Sequence, residues 1–277
     1  MAQNFHLPPS GFGPGSQPDE GEGFDWLPLP SGMRTYDMHL PDIAETGPLA
    51  PALTLLGQIA AACDRVAAGG AAEAFDLAGL DTPNRALIAE TLGQGEVSVR
   101  ARGVPAVAMQ ESVFAGVWVL NGAGIDRAEV APMPPLALAR AFQPQRPARL
   151  LQAPRGPGVV NAPAILAELT DKAAAWRGPA DLHVVNLTLL PHTEEDLLWL
   201  AEALGEGAVT LLSRGYGNCR ITATAVPQLW RVQFFNSMEV LILDTFEVTA
   251  MPEVALAAPE DLADSAGRLR EVLEAIR

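Results

Sequence analysis

The chain has 277 residues, 18 basic and 33 acidic, so its formal net charge at pH 7 is −15. Such a surplus of carboxylates argues against a protein that binds nucleic acid by neutralising phosphates. The two cysteines, Cys63 and Cys219, lie far apart and outside any CxxC or Cys/His cluster. This excludes a disulfide scaffold, a zinc finger and a protein-ligated iron–sulfur cluster.

No metal-ligand spacing or cofactor motif stands out in the sequence, and no stretch of about 18 apolar residues runs without interruption. The first residues also lack a basic region followed by an apolar run, which a signal peptide requires. We therefore expect a cytoplasmic protein with no metal, no cofactor and no membrane insertion.

The N-terminal segment, residues 1–47, is rich in Pro and Gly and carries several acidic residues. It has no periodic apolar face, so we expect it to be largely flexible. Large apolar groups are concentrated at residues 24–30. These residues could dock on a partner or pack against the protein's own surface, and we favour the second interpretation because apolar residues beside a domain usually serve its core.

Residues 48–140 follow as a first module with helices and strands in alternation. The apolar spacing predicts helices at 51–67 and 83–92. Short apolar runs separated by turn residues predict strands at 73–78, 96–101, 106–113, 116–121 and 125–131. Residues 141–159 are rich in Pro and Gly and contain several arginines, and we interpret them as a linker.

Residues 160–257 form a second module with the same order of elements. A helix is predicted at 164–176 and a buried strand at 182–190. Thr193 at the N-cap, Asp196 three residues later and Gly205 at the end bound a helix over 194–204. Four strands follow at 208–213, 219–226, 229–236 and 240–248, and residues 258–277 contain a final amphipathic helix.

The two modules are related by an internal repeat. Residues 90–103 match residues 202–215 at 7 of 14 positions with an offset of 112, and Trp118 matches Trp230 at the same offset. Residues 128–138 match 246–256 at 6 of 11 positions with an offset of 118, so the second module has six extra residues in between. We infer a tandem duplication: an α+β fold of two pseudo-symmetric repeats, each with helices packed on a mainly antiparallel sheet.

One loop of the second module has an unusual composition that the first module lacks. Its seven residues are Arg214, Gly215, Tyr216, Gly217, Asn218, Cys219 and Arg220. The glycines and Asn218 suit a tight turn between strands, so a structural hairpin with an inert thiol is one interpretation. In the other, the loop contacts a partner, or nearby arginines favour a Cys219 thiolate if their side chains turn toward it.

Several segments of the second module resemble the HupH/HyaF family of hydrogenase expression/formation proteins. The segments are 185–197, 204–221, 230–237 and 241–248, and the run Ser-Arg-Gly-Tyr-Gly-Asn-Cys-Arg at 213–220 is distinctive of the family. The resemblance implies an accessory protein for [NiFe] uptake hydrogenases. Family members are implicated in maturing the iron–sulfur small subunit beside a small thioredoxin-like chaperone. The family has no established catalytic residues, so residues 214–220 are carried over only as a signature.

We therefore hypothesise a non-catalytic assembly chaperone that binds the hydrogenase small-subunit precursor before export, with residues 214–220 making the contact. The thioredoxin-like chaperone and other hydrogenase accessory proteins are the further partners that the resemblance implies. The main alternative is a thiol-dependent redox or iron–sulfur-cluster-handling factor that uses Cys219. A third possibility is a scaffold that joins other accessory proteins.

Overall fold

The computed structural model describes residues 47–214 and 218–276, which form an α+β fold as predicted. Within these residues there are six α-helices and one sheet of ten strands. The helices are α1 Ala50–Ala67, α2 Thr82–Leu92, α3 Pro135–Arg140, α4 Ala162–Ala175, α5 Glu194–Leu204 and α6 Pro259–Ile276. The strands are β1 Glu73–Asp76, β2 Val97–Ala101, β3 Val107–Glu111, β4 Val117–Gly122, β5 Ile125–Val130, β6 His183–Asn186, β7 Val209–Ser213, β8 Asn218–Ala223, β9 Leu229–Phe235 and β10 Leu241–Val248.

Every neighbouring pair of strands is antiparallel, and the strand order is β1-β5-β4-β3-β2-β7-β8-β9-β10-β6. The first five strands of the chain form one half of the sheet and the last five form the other. Read outward from the β2–β7 join, both halves have the same order of strands. A tandem duplication predicts this arrangement, and the duplication itself stays a prediction.

The two faces of the sheet are covered differently. On one face, which we call the covered face, the side chains of the central strands pack against α3 and the segment 251–255. Trp118 and Trp230 are fully buried there. On the opposite face, α1 and α2 lie over the outer strands of the first half. Likewise, α4 and α5 lie over the outer strands of the second half.

The start of α5 confirms the predicted helix cap. Thr193 Oγ1 accepts a hydrogen bond from Asp196 N, while the Asp196 carboxylate accepts one from Thr193 N. The same carboxylate also accepts bonds from the backbone N–H groups of Val160, Asn161 and Ala162, where α4 begins. One buried side chain therefore joins two helix N-termini, where a negative charge is favoured.

The strand predicted at 182–190 is wrong in its second half. Only His183–Asn186 is a strand, and Leu187–Leu189 forms a 3₁₀ turn. At this point Asp244 N of β10 donates its hydrogen bond to the side-chain oxygen of Thr188. This side-chain bond takes the place of a backbone hydrogen bond between the two strands. The apolar run did not reveal this turn because Leu187 is buried as it would be in a strand.

The segment interpreted as a linker, residues 141–159, packs against the second half of the chain. Gln145 N donates to Glu206 O, and the indole of Trp199 donates to Ala153 O. The Arg155 guanidinium lies over the Trp199 ring, 5.3 Å from its centroid. The division of the chain at 141–159 stays a prediction, but these contacts attach the segment to α5.

Candidate partner-binding site

The signature residues lie at the end of the hairpin formed by β7 and β8. Arg214 follows β7, and its backbone N–H donates to Glu96 O beside β2. Asn218, Cys219 and Arg220 begin β8, where Cys219 pairs with Ser213. Gly215, Tyr216 and Gly217 lie outside the described residues. The structure therefore places four of the seven predicted site residues, and these four lie together.

The four placed residues face in different directions, because alternate residues of a strand point to opposite faces. Cys219 is buried on the covered face, while Arg214, Asn218 and Arg220 are exposed. The Arg220 guanidinium lies over the Phe235 ring of β9, 5.6 Å from its centroid. Arg220 is thus held on the face opposite the thiol, so it does not approach Cys219 as one interpretation of the sequence required.

The environment of Cys219 keeps its thiol protonated. Burial raises its pKa to about 11, and the nearby carboxylate of Glu247 contributes in the same direction. At neutral pH only about one molecule in 10⁴ would carry a Cys219 thiolate. Cys63 is also buried, and burial raises its pKa to about 12. Neither thiol has the surroundings of a reactive cysteine.

A pocket of about 290 Å³ opens beside the exposed signature residues. The residues that line it are Leu212, Ser213, Arg214, Asn218, Cys219, Arg220, Phe235 and Glu239. Two elements therefore contribute to it, the β7–β8 hairpin and the hairpin that joins β9 to β10. The pocket combines an aromatic ring, two arginines and a carboxylate, a mixture that suits a polypeptide partner.

The β9–β10 hairpin extends beyond this pocket as a tip, residues 236–242, that carries exposed apolar side chains. The exposed fraction is 77% for Met238 and 56% for Ile242, and Val240 and Leu241 are exposed as well. Asn236 Oδ1 accepts hydrogen bonds from the backbone N–H groups of Met238 and Val240, which fixes the turn. A folded tip thus presents four apolar side chains next to the signature residues.

The corresponding hairpin of the first half has no such tip. Only residues 123–124 connect β4 to β5, whereas residues 236–240 connect β9 to β10. The six extra residues of the second module lie in this hairpin. The tip was not recognised from the sequence as part of the site, although the change of offset from 112 to 118 marks its position.

Other chemistry of the described part of the chain lies outside this site. Among residues 47–214 and 218–276, no three His, Cys, Asp or Glu side chains are grouped as metal ligands. None of the described helices is long and apolar enough to cross a bilayer. Glu111 is buried on the covered face of the first half, where burial raises its pKa to about 7 while its carboxylate accepts a bond from Gly116 N.

Comparison with known proteins gives matches over nearly the whole chain. The family model described as "HupH hydrogenase expression protein, C-terminal conserved region" matches residues 49–153 and again residues 159–276. The hydrogenase expression/formation protein HupH of Rhodobacter capsulatus is 65% identical over 277 residues, covering 100% of both chains. The protein HoxQ of Cupriavidus necator is 44% identical and covers 98% of each chain. The hydrogenase-1 operon protein HyaF of Escherichia coli is 33% identical, covering 98% of this chain and 95% of its own.

Proposed function

Because the chain belongs to the HupH family of hydrogenase expression proteins, we propose that it acts in hydrogenase maturation as a non-catalytic assembly chaperone. Its client is the iron–sulfur small-subunit precursor, which it binds in the cytoplasm before export. The thioredoxin-like hydrogenase chaperone and other accessory proteins act beside it. The relatives are hydrogenase expression/formation proteins by name, which supports the role in hydrogenase maturation, and the client is our own proposal.

One observation carries this proposal: the exposed apolar tip adjoins the signature residues. Clusters of exposed apolar side chains on soluble proteins mark surfaces that bind other proteins. Met238, Val240, Leu241 and Ile242 form such a cluster, and Arg214 and Arg220 lie beside it. A chaperone needs a surface of this kind to cover apolar parts of a client that is not yet assembled.

The net charge of −15 also suits a partner that presents a basic region. Long-range attraction would raise the rate of encounter with such a partner without deciding where it binds. The local contacts at the hairpin tip would then supply the specificity. We therefore expect the encounter to be salt-dependent and the bound complex to depend on the apolar tip.

The thiol-dependent alternative has less support. Cys219 is buried and points to the covered face, and its raised pKa leaves very little thiolate at neutral pH. No other cysteine lies near it, since Cys63 is in α1. A contact surface therefore accounts for the signature better than a nucleophilic thiol does.

The direct test is co-purification of the small-subunit precursor with the tagged full-length protein from cells that express the hydrogenase, under anaerobic conditions. We expect Met238→Ser/Ile242→Ser to lower recovery of the precursor at least tenfold while the Tm stays unchanged. A matched control is Leu151→Ser/Val254→Ser, which makes two exposed apolar residues polar elsewhere on the protein. The control should recover as much precursor as the wild type.

Three results would count against the proposal. Equal recovery of precursor by the wild type and the tip variant would remove the tip from the binding site. Recovery of the thioredoxin-like chaperone without any precursor, in cells where maturation is active, would instead favour the scaffold. Loss of maturation in Cys219→Ser with the fold and the precursor complex intact would return the thiol to consideration.

A further inference from the structure

We infer that the uncovered centre of the sheet binds an acidic, extended segment of a partner polypeptide. We call this surface the central trough. Its floor is the face opposite α3 on β3, β2, β7 and β8, between the helices that lie over the two ends of the sheet. The residues that line it are Ser98, Arg100, Ala108, Thr210, Arg220 and Thr222.

The register of the strands shows that these side chains share one face. Arg100 pairs with Ala108 on one side and with Thr210 on the other, and Thr210 pairs with Thr222. Ser98 pairs with Leu212, which pairs with Arg220. All these residues are exposed or half-buried, so no described helix covers them. The small neighbours of Arg100 leave its guanidinium open to solvent.

The charge of the trough is the reverse of the charge of the whole protein. None of β2, β3, β7 and β8 directs an Asp or Glu onto this face, since Glu111 of β3 lies on the covered face. Arg100 and Arg220 form no ion pair with any described residue. In a protein with 33 acidic and 18 basic residues, these two arginines thus share one open surface without a carboxylate partner in the part of the chain that the structure describes.

Two arginines that border the trough form ion pairs with carboxylates of the same protein, unlike Arg100 and Arg220. Arg231 of β9 forms two hydrogen bonds with the Asp244 carboxylate, and Arg85 of α2 pairs with Asp126. These pairs give local charge balance at both walls. The floor presents Arg100 and Arg220 without an ion pair among the described residues, and guanidinium groups bind carboxylates in a directional way.

An apolar cleft of about 510 Å³ lies at the first-half wall of the trough, between α2 and β4. Its lining is mostly apolar and also includes the Arg85–Asp126 pair; the apolar residues are Leu77, Leu80, Ala86, Ile88, Ala89 and Val119. Val119 pairs with Gln110, which pairs with Ser98, so the cleft continues directly into the floor of the trough. A bulky apolar side chain of a ligand can enter the cleft while neighbouring residues cross the arginines.

The strand spacing sets the pattern of such a ligand. Arg100 lies two strands from Val119 and Arg220 lies four strands away, so the separations across the sheet are roughly 10 and 19 Å. An extended chain in the polyproline II conformation advances about 3.1 Å per residue with three residues per turn, so residues three apart face the same side. The fitting segment therefore has a large apolar residue followed by carboxylates about three and six residues later. The trough shares Arg220 with the signature residues but does not include the apolar tip, and the inference does not rest on the proposed client.

The test uses the full-length protein and a fluorescein-labelled peptide containing Leu-Ser-Ser-Glu-Ser-Ser-Glu, with binding followed by fluorescence anisotropy at low salt. We expect saturable binding that Arg100→Ala and Arg220→Ala each weaken at least fivefold. Lys172→Ala removes an exposed positive charge from α4, outside the trough, and should leave binding within twofold of the wild type. Replacing both glutamates of the peptide by glutamine should abolish binding.

Three results would overturn the inference. The first is that the wild type does not bind the peptide, and the second is that it binds the glutamine peptide as tightly as the glutamate peptide. The third is that Lys172→Ala lowers the affinity as much as Arg100→Ala does. Light scattering on the same variants tests a second copy of the chain as the occupant. A dimer that Arg100→Ala converts to monomer would also contradict a peptide site, and tighter binding of a single-stranded oligonucleotide than of the acidic peptide would do the same.

Discussion

Val99 of β2 pairs directly with Leu211 of β7 at the join between the two halves of the sheet. Both side chains are buried on the covered face. Leu211 is also the residue that the sequence repeat matches to Val99, 112 positions further along the chain. A twofold rotation about this pair exchanges the two strands, which is the relationship that a tandem duplication with pseudo-twofold symmetry predicts.

Replacing either of the matched tryptophans by phenylalanine should destabilise the protein by a similar amount. Trp118 and Trp230 are both fully buried, and their indole N–H groups donate to Ala131 O and Thr249 O. Each substitution leaves a buried carbonyl without its donor and a small cavity, which costs about 2 kcal/mol. Urea unfolding of the two variants measures the effect, and costs that differ by more than about 1 kcal/mol would contradict equivalent environments.

A methyl group at either of two matched glycines should prevent normal folding. The Cβ of Gly95→Ala would lie 2.1 Å from Ser112 O, and that of Gly207→Ala 2.3 Å from Ala141 O. Both neighbours are backbone atoms, so the backbone of the connecting segments would have to move, at a cost above about 3 kcal/mol. Thermal unfolding or soluble yield is the measurement. Gly79→Ala is the control because nothing lies within 4 Å of its added carbon, and its Tm should change little.

Much of the fold was predictable from the sequence because the elements predicted for the two modules agreed with each other. Local signals at Thr193, Asp196 and Gly205 gave the correct bounds of α5, because caps depend on residues close together in the chain. The 3₁₀ turn after β6 was not predictable, since it depends on Thr188 meeting Asp244 from 56 residues away.

The candidate site was predictable only in part. The composition of residues 214–220 identified one hairpin, and alternation along a strand left the direction of Arg220 open. The exposed side chains of Met238 and Ile242 could not be recognised, because an apolar residue in a β-hairpin is as compatible with the core as with the surface. Tertiary structure decides between these environments, and so it also decides which hairpin can meet a partner.

The Asp196 carboxylate should make stability depend on pH in the acidic range. Burial by itself would raise its pKa, but backbone N–H donors at α4 and α5 outweigh this effect and lower the pKa to about 2. A pKa below that of the unfolded chain means that the stabilisation is complete above about pH 4 and is lost as the pH falls toward 2.

Asp196→Asn should therefore cost about 2 kcal/mol near neutral pH, and the difference from the wild type should shrink between pH 4 and pH 2. Urea unfolding at a series of pH values measures both effects. Glu194→Gln changes an exposed carboxylate in the same helical turn and serves as the control. A difference between Asp196→Asn and the wild type that stays constant down to pH 2 would show that the carboxylate charge is not the source of the stabilisation.

Cys219 should behave as a packing residue. Its buried thiol, with a pKa of about 11, should react with iodoacetamide at pH 7.5 at least a hundredfold more slowly than a thiol in the unfolded chain. Because the Glu247 carboxylate raises the Cys219 pKa, Glu247→Gln should lower that pKa while leaving the thiol buried. Mass spectrometry after timed labelling gives the rates. Rapid labelling of Cys219 in the folded wild type, with Cys63 still protected, would mean that the hairpin opens and exposes a thiol available for exchange chemistry.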